Sequence, residues 1–181
     1  YDYSGGGFCV AEALMEAAAD SDFETLARDR VLFPLGMYRS SFTRNVSSVG
    51  LARGHAPDMT VHPVRFCPGK TAGGLTTTAM DYARFLNCIS LEGRRNAQTW
   101  ASDRILEATT VRNHMLRGID DTNGDRITSA RTTPSPFAPY WTEFVPCLGI
   151  NASTQTQGNG FRFVEHGGSQ RGFRNQFFLH P

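Results

Sequence analysis

The fold class that the sequence predicts is α+β, because helical patterns come first along the chain and strand patterns come last. Apolar residues recur at steps of three and four before residue 90, whereas alternating patterns follow Cys147. The composition suits a globular chain, with 181 residues, 40% of them apolar and 19% charged, and a net charge of +1. There is no basic cluster and no long apolar run, so we expect neither nucleic-acid binding nor a membrane span.

Helical patterns dominate the first half of the chain. Residues from Phe8 to Ala19 carry apolar side chains at helical spacing. Ser21-Asp22-Phe23-Glu24 has the Ser-x-x-Glu form of a capping box, and Pro34 ends the pattern that follows it. Thr78-Ala79-Met80-Asp81 is similar to a second capping box, whose helical pattern continues until Gly93. The sequence therefore predicts two consecutive helices and, further along, a third.

Less regular segments separate these patterns. Residues 36–71 contain scattered Gly and Pro with no sustained period, which predicts a long irregular connection that holds short strands at most. Ile105 to Met115 is a further helix candidate. Arg117 to Pro139, rich in Asp, Asn, Thr and Pro, is predicted to be a loop.

The end of the chain is predicted to form strands. Runs of period two at residues 161–166 and 173–179 flank a glycine turn from Gly167 to Gly172, as in an antiparallel pair. We therefore divide the chain into a mostly helical and loop portion, residues 1–145, and a strand portion, residues 146–181.

The pattern of Cys and His residues favours no metal site and no cofactor. The cysteines are too far apart for a zinc site and too few for a disulfide scaffold, so buried free thiols are expected. His55, His62 and His114 lack the spacing of metal ligands. The cysteines are Cys9, Cys67, Cys88 and Cys147.

Two glycine-rich segments are candidates for chemistry. Tyr3-Ser4-Gly5-Gly6-Gly7 leads into a helix, where backbone N–H groups face a ligand or where the chain simply forms a flexible terminal turn. Glu165-His166-Gly167-Gly168-Ser169 ends a strand, where a histidine faces a cleft or lies incidentally in a hairpin turn. Each segment alone leaves both interpretations open.

Five short motifs occur in an order that is more specific than any one of them. They are Tyr3-Ser4-Gly5, Pro34-Leu35-Gly36-Met37, Ala72-Gly73-Gly74-Leu75, Leu148-Gly149-Ile150 and His166-Gly167-Gly168. In this order the chain resembles the serine β-lactamase-like superfamily, which includes class C β-lactamases, D-Ala-D-Ala carboxypeptidases and β-lactamase-fold esterases. The resemblance implies a β-lactamase/transpeptidase-like fold, with an antiparallel sheet flanked by helices and a helical subdomain, partly missing from this chain.

The resemblance also implies acyl transfer through a serine ester, with the nucleophile in a Ser-x-x-Lys motif at the start of a helix. The chain has a single lysine, Lys70, and Cys67 stands three positions before it in a proline-containing loop. We therefore expect the nucleophile upstream of the chain, the chain to be incomplete at both ends, and this portion alone to be inactive. Its expected partners are the remainder of the enzyme and a small ester or amide substrate.

By resemblance, the catalytic residues are Tyr3 as general base or proton relay, His166 as its hydrogen-bond partner, and Ser169 as an oxyanion donor through its N–H. Gly5, Gly167 and Gly168 are the expected substrate-binding residues. Two departures from the lactamase pattern, Gly5 in place of Asn and His166 in place of Lys, favour a carboxylic ester hydrolase. The alternatives are a D-Ala-D-Ala carboxypeptidase or β-lactamase, and a non-catalytic binding or scaffold member of the same fold.

Overall fold

The computed structural model describes residues 4–43, 50–64, 66–98, 103–115, 141–146, 151–155, 162–170 and 172–180. Helices come first and a small antiparallel sheet comes last, which confirms the mixed α and β class. The helices are α1 (Gly5–Ala19), α2 (Phe23–Ala27), α3 (Lys70–Gly73), α4 (Ala79–Ser90) and α5 (Ala108–Thr110), with π-helical turns at Arg28–Leu32 and Val111–Met115. The strands are β1 (Trp141–Pro146), β2 (Asn151–Gln155), β3 (Arg162–Gln170) and β4 (Phe173–Leu179).

Helix α1 begins three residues before the predicted start, inside the glycine run. Ser4 has extended backbone angles, and its Oγ accepts a hydrogen bond from the Gly7 N–H at 3.0 Å. This N-cap satisfies one of the free N–H groups at the start of the helix. No residue of α1 is buried, and the apolar Phe8 and Met15 are each 43% exposed.

The predicted capping box at the second helix is wrong in its first residue. Asp22, rather than Ser21, caps α2, with its carboxylate accepting from the Thr25 N–H at 3.1 Å and from the Thr25 Oγ1 at 2.7 Å. Glu24 instead accepts a hydrogen bond from the Phe42 N–H at 2.6 Å. A carboxylate is a better match for the helix dipole than a hydroxyl, and Glu24 is thereby free to hold the following loop.

One of the two hydrogen bonds of the capping box predicted before α4 is present among the described residues. The Asp81 N–H donates to Thr78 Oγ1 at 3.2 Å. The Asp81 side chain is buried and accepts from the Arg39 N–H at 2.8 Å and from Ser40 Oγ at 3.0 Å. A buried carboxylate is tolerated when it is hydrogen-bonded, and here it ties α4 to the turn before Ser41.

The chain divides into two compact units. One comprises Asp2–Phe85 with Gly168–Asn175, and the other Leu86–Gly167 with Gln176–Pro181. The buried apolar residues are Ala27, Leu32, Leu35 and Met37 in the first unit and Cys88, Ile89, Val111 and Val164 in the second. The division between residues 145 and 146 stays a prediction.

The strands form one sheet in the order β1-β2-β3-β4. The β1–β2 pair is antiparallel, and so is β2–β3, in which Asn151 stands opposite Glu165 and Thr154 opposite Arg162. The prediction that a turn begins at Gly167 is wrong, because β3 continues to Gln170. Glycine accepts extended backbone angles, as Gly167 and Gly168 do within β3. Gly172, after the end of β3, has a positive φ of 74°.

The irregular connection predicted over residues 36–71 is confirmed for its described part as far as α3, where the only pairings are isolated bridges such as His55–Val61. The predicted loop at 117–139 and the motif at Leu148 lie outside the described residues. No helix in the described ranges is long and apolar enough to cross a membrane.

The expectation of buried thiols is correct for only one described cysteine. Cys88 is buried, and burial raises the pKa of its thiol to about 11. Cys9 is exposed and Cys67 half-buried, since neither belongs to the apolar core, and all three are free thiols. Cys147 lies outside the described residues.

Candidate active site

The Ala-Gly-Gly-Leu segment supplies the last two residues, Ala72 and Gly73, of the single helical turn α3, which is closed by Gly74. The Gly74 N–H donates to the Lys70 carbonyl at 2.8 Å. A Cβ added at Gly74 would lie 2.7 Å from the Lys70 Cα, closer than real side chains come to backbone. The tight turn therefore requires glycine at this position.

Polar contacts from two consecutive residues attach α3 to α1. The Thr71 N–H and Oγ1 each donate to Glu12 Oε2 at 3.0 Å, and the Thr71 Oγ1 also donates to the Phe8 carbonyl at 2.7 Å. Lys70 Nζ lies 3.2 Å from Glu16 Oε1 and 3.8 Å from Glu12 Oε1. The two carboxylates, one turn apart on α1, thus hold both residues at the start of α3.

Lys70 forms ion pairs with two carboxylates of α1. Glu16 also accepts from the Phe23 N–H at 2.7 Å, and this hydrogen bond, together with the Lys70 ammonium, lowers the pKa of its carboxyl. Cys67 precedes α3, so Cys67 and Lys70 do not form a helical i, i+3 pair. That the catalytic lysine is a different one stays a prediction.

The end of β3 reaches the same helical turn. Gln170 Nε2 donates to the Gly73 carbonyl at 2.7 Å. On the other side, a Cβ added at Gly5 would meet the Ala72 Cβ at 3.8 Å, an ordinary van der Waals distance. The motif at Gly5 therefore lies beside the motif that ends α3, and Gln170, two residues after the third motif, bonds to the same turn.

The predicted site residues that the structure describes are divided between the two compact units. Gly5, Gly168 and Ser169 belong to the unit that contains α3, with Gly168 and Ser169 exposed at the end of β3. A Cβ added at Gly168 would meet no described atom within 4 Å, so that side of the strand is open. His166, half-buried, and Gly167, exposed, belong to the other unit. Tyr3 lies outside the described residues.

We call the contacts of α3 with α1 and with the end of β3 the α3 junction. Three of its residues were not predicted from the sequence: Glu12, Thr71 and Gln170. Gln170 had a usable signal, because side chains in a strand alternate between faces. It shares the parity of His166 and Gly168, and therefore projects from the same face of β3. Glu12 and Thr71 had no signal, since nothing in their spacing indicates a contact across 59 residues.

The family model for β-lactamases matches the chain over residues 1–181. The chain belongs to the β-lactamase family. This confirms the resemblance drawn from the five motifs. A search of the curated proteins finds no match.

Among solved structures, this β-lactamase family member is similar to a protein from Bacteroides dorei DSM 17855 described as a candidate β-lactamase. The two share 23% sequence identity with a TM-score of 0.45. The match covers 91% of this chain and 49% of the other, so the chain spans about half the length of that protein. Within the described residues, no group of three or more His, Cys, Asp or Glu is arranged to hold a metal ion.

Proposed function

We propose that the chain supplies part of the active site of a serine hydrolase that acts through an acyl-serine intermediate on a carboxylic ester. Membership of the β-lactamase family over all 181 residues supports the reaction class. The observation that carries the proposal is the arrangement around α3, to which Gln170 donates a hydrogen bond from the end of β3 and α1 is attached through Glu12 and Thr71.

In this proposal the Ser169 N–H is one donor of the oxyanion hole. On the β2 side of β3, the described register ends at Glu165, whereas β4 is the neighbour on the other side. Beyond that point Gly168 and Ser169 are exposed, and Gly168 has open space where a side chain would stand. A backbone donor held in a strand needs little reorganisation as negative charge develops on the carbonyl oxygen.

Tyr3 and His166 are proposed to move and hold the proton. Tyr3, one residue before the Ser4 cap of α1, would relay a proton between the serine and the leaving group. A tyrosine has an ordinary pKa of about 10, so this role needs a neighbouring positive charge. Because Lys70 is engaged by Glu12 and Glu16, the proposal assigns that charge, and the nucleophile, to a Ser-x-x-Lys motif outside these 181 residues.

The preference for an ester over a β-lactam rests on two positions. Gly5 has no side chain with which to contact an acylamino group. At His166 an imidazole stands in place of the lysine of lactamases and peptidases, which is the stronger partner for a substrate carboxylate. The weakened interactions are with an acylamino group and a carboxylate, and a simple ester has neither. A short-chain ester is therefore the proposed substrate class.

The experiment compares three substrates on the protein as its gene encodes it: 4-nitrophenyl acetate, a chromogenic cephalosporin and a D-Ala-D-Ala peptide. We expect ester hydrolysis, and a loss of at least about 100-fold in kcat in Tyr3→Phe, the range for removal of a general acid or base. Tyr38→Phe is the matched control, because Tyr38 is 72% exposed and the change keeps its ring against Phe33.

The possible results separate the candidate functions. Faster hydrolysis of the cephalosporin, or of a D-Ala-D-Ala peptide, would replace the esterase with a β-lactamase or carboxypeptidase. An active Tyr3→Phe variant would remove Tyr3 from the site. A protein that hydrolyses none of the three, and whose gene encodes no Ser-x-x-Lys, would be a binding or scaffold member of the family.

A further inference from the structure

One side chain, Gln170, connects the strand that carries the proposed oxyanion donor to the rest of its compact unit. Its amide donates to the Gly73 carbonyl at 2.7 Å, across 97 residues of sequence. A Cβ added at Gly73 would lie 2.9 Å from Gln170 Nε2, so a side chain there would require the exposed amide of Gln170 to shift.

The segment that receives this hydrogen bond is itself held in place. Thr71, two residues before Gly73, donates to both Glu12 and the Phe8 carbonyl of α1. Gly74, the next residue, closes the turn through its hydrogen bond to Lys70. Because Thr71 and Gly74 are both held by hydrogen bonds, the Gly73 carbonyl between them has a fixed position. A hydrogen bond from Gln170 to this carbonyl therefore fixes the end of β3 relative to α1.

A second contact fixes the chain just beyond Gln170. Gly172 has a φ of 74°, and a Cβ at that position would lie 2.2 Å from the His55 N and 2.6 Å from the Gly54 carbonyl carbon. Backbone thus packs directly on backbone on the far side of Gln170. Ser169 lies immediately before Gln170, so its N–H is held by the hydrogen bond of the next residue and by the packing of Gly172, three residues further along.

We propose that Gln170 is a positioning residue, which sets the place of the Ser169 N–H relative to the N-terminus of α1 by its hydrogen bond to Gly73. The inference rests on the proposed function, and it adds to it a residue that touches neither substrate nor nucleophile. An oxyanion donor stabilises the transition state only when it lies within hydrogen-bond distance of the developing charge. Loosening this one bond should therefore slow the acyl transfer and leave ground-state binding intact.

The test uses two substitutions at Gln170 in the protein as its gene encodes it. Gln170→Ala removes the donor, and Gln170→Glu keeps the length but places a carboxylate against the Gly73 carbonyl. We expect each to lower kcat for the ester by about 10-fold or more, as expected for a misplaced catalytic group, with KM unchanged. The affinity for phenylboronic acid, which forms a tetrahedral adduct with a serine, should fall by the same factor.

The matched control is Gln176→Ala, which removes another exposed glutamine whose Nε2 donates a single hydrogen bond, at 2.9 Å to Glu165 Oε2. It should leave kcat unchanged, and its thermal midpoint should equal that of Gln170→Ala. Gly73→Ala attacks the same bond from the acceptor side. The double variant Gln170→Ala with Gly73→Ala should be no slower than the slower single variant, because both remove one interaction.

The failures of the two proposals are distinct. A wild-type protein that hydrolyses neither esters nor amides overturns the proposed function and the role of Gln170 with it. An active wild type in which Gln170→Ala keeps its kcat and its boronate affinity overturns this inference alone. The same holds if Gln170→Ala lowers the thermal midpoint well below that of Gln176→Ala while kcat per folded molecule is unchanged, since the residue is then structural.

Discussion

The contact between α1 and α3 and the surroundings of α4 hold their segments by different means. Helix α1 buries none of its residues, and α3 is attached to it by hydrogen bonds and ion pairs. Helix α4 instead carries two fully buried residues, Cys88 and Ile89, and a buried carboxylate, Asp81. In the described chain, the part that carries the proposed site therefore depends on directional polar contacts, and α4 depends on desolvated packing.

The largest effect is expected for a substitution in the buried face of α4. Ile89→Ala removes a side chain with no exposed surface and leaves a cavity, so we expect the free energy of unfolding to fall by about 2–5 kcal/mol. Met80→Ala on the same helix, where Met80 is 67% exposed, should change it by no more than about 0.5 kcal/mol. Denaturant unfolding followed by circular dichroism measures both, and equal losses would contradict the packing assigned to α4.

An intermediate effect is expected for a substitution in the polar contact between α1 and α3. Thr71→Val keeps the shape of the side chain but removes the hydroxyl that donates to the Phe8 carbonyl and Glu12, at an expected cost of about 1 kcal/mol. Thr109→Val, at an exposed position of α5, is the control and should be nearly neutral. If Thr71→Val is as neutral as its control in the same unfolding experiment, then the hydroxyl contacts do not hold α3 to α1.

The same contrast explains what could be read from the sequence. The buried side of α4 follows from periodicity and from the Thr78 cap, both of which are local patterns. The α1–α3 junction joins Glu12 to Thr71 across 59 residues, and hydrogen bonds over such separations leave no periodic trace. The motifs named the segments that meet at α3, but not the side chain of Gln170 that connects β3 to it.

Local patterns also failed where two residues competed for one role. Ser21 and Asp22 both suit an N-cap, and the choice of Asp22 depends on Glu24, whose carboxylate is engaged by Phe42. The turn after β3 was placed too early, because glycines at 167 and 168 are compatible with both turn and strand. In each case a tertiary or pairing contact, rather than local preference, made the selection.

The smallest expected effect is a change in pH dependence at Glu16. Its pKa is lowered from the ordinary 4.5, first by the hydrogen bond from the Phe23 N–H and then by Lys70. A carboxyl whose folded pKa is depressed adds stability that is present above its unfolded pKa and is lost as the pH falls through the folded value. Part of the acid destabilisation below about pH 4.5 should therefore come from this residue.

Glu16→Gln isolates that part, since the amide oxygen can still accept from the Phe23 N–H while the charge that faces Lys70 is gone. Thermal midpoints measured from about pH 6 to about pH 3 should fall less steeply in Glu16→Gln than in the wild type. Glu107→Gln is the control, because Glu107 is exposed and its side chain makes no capping hydrogen bond at α5, so the wild-type slope should be kept. An unchanged slope in Glu16→Gln would mean that Lys70 and Phe23 give the carboxylate no more stabilisation in the fold than water does. The attachment of α3 to α1 would then rest on Thr71 and Glu12 alone.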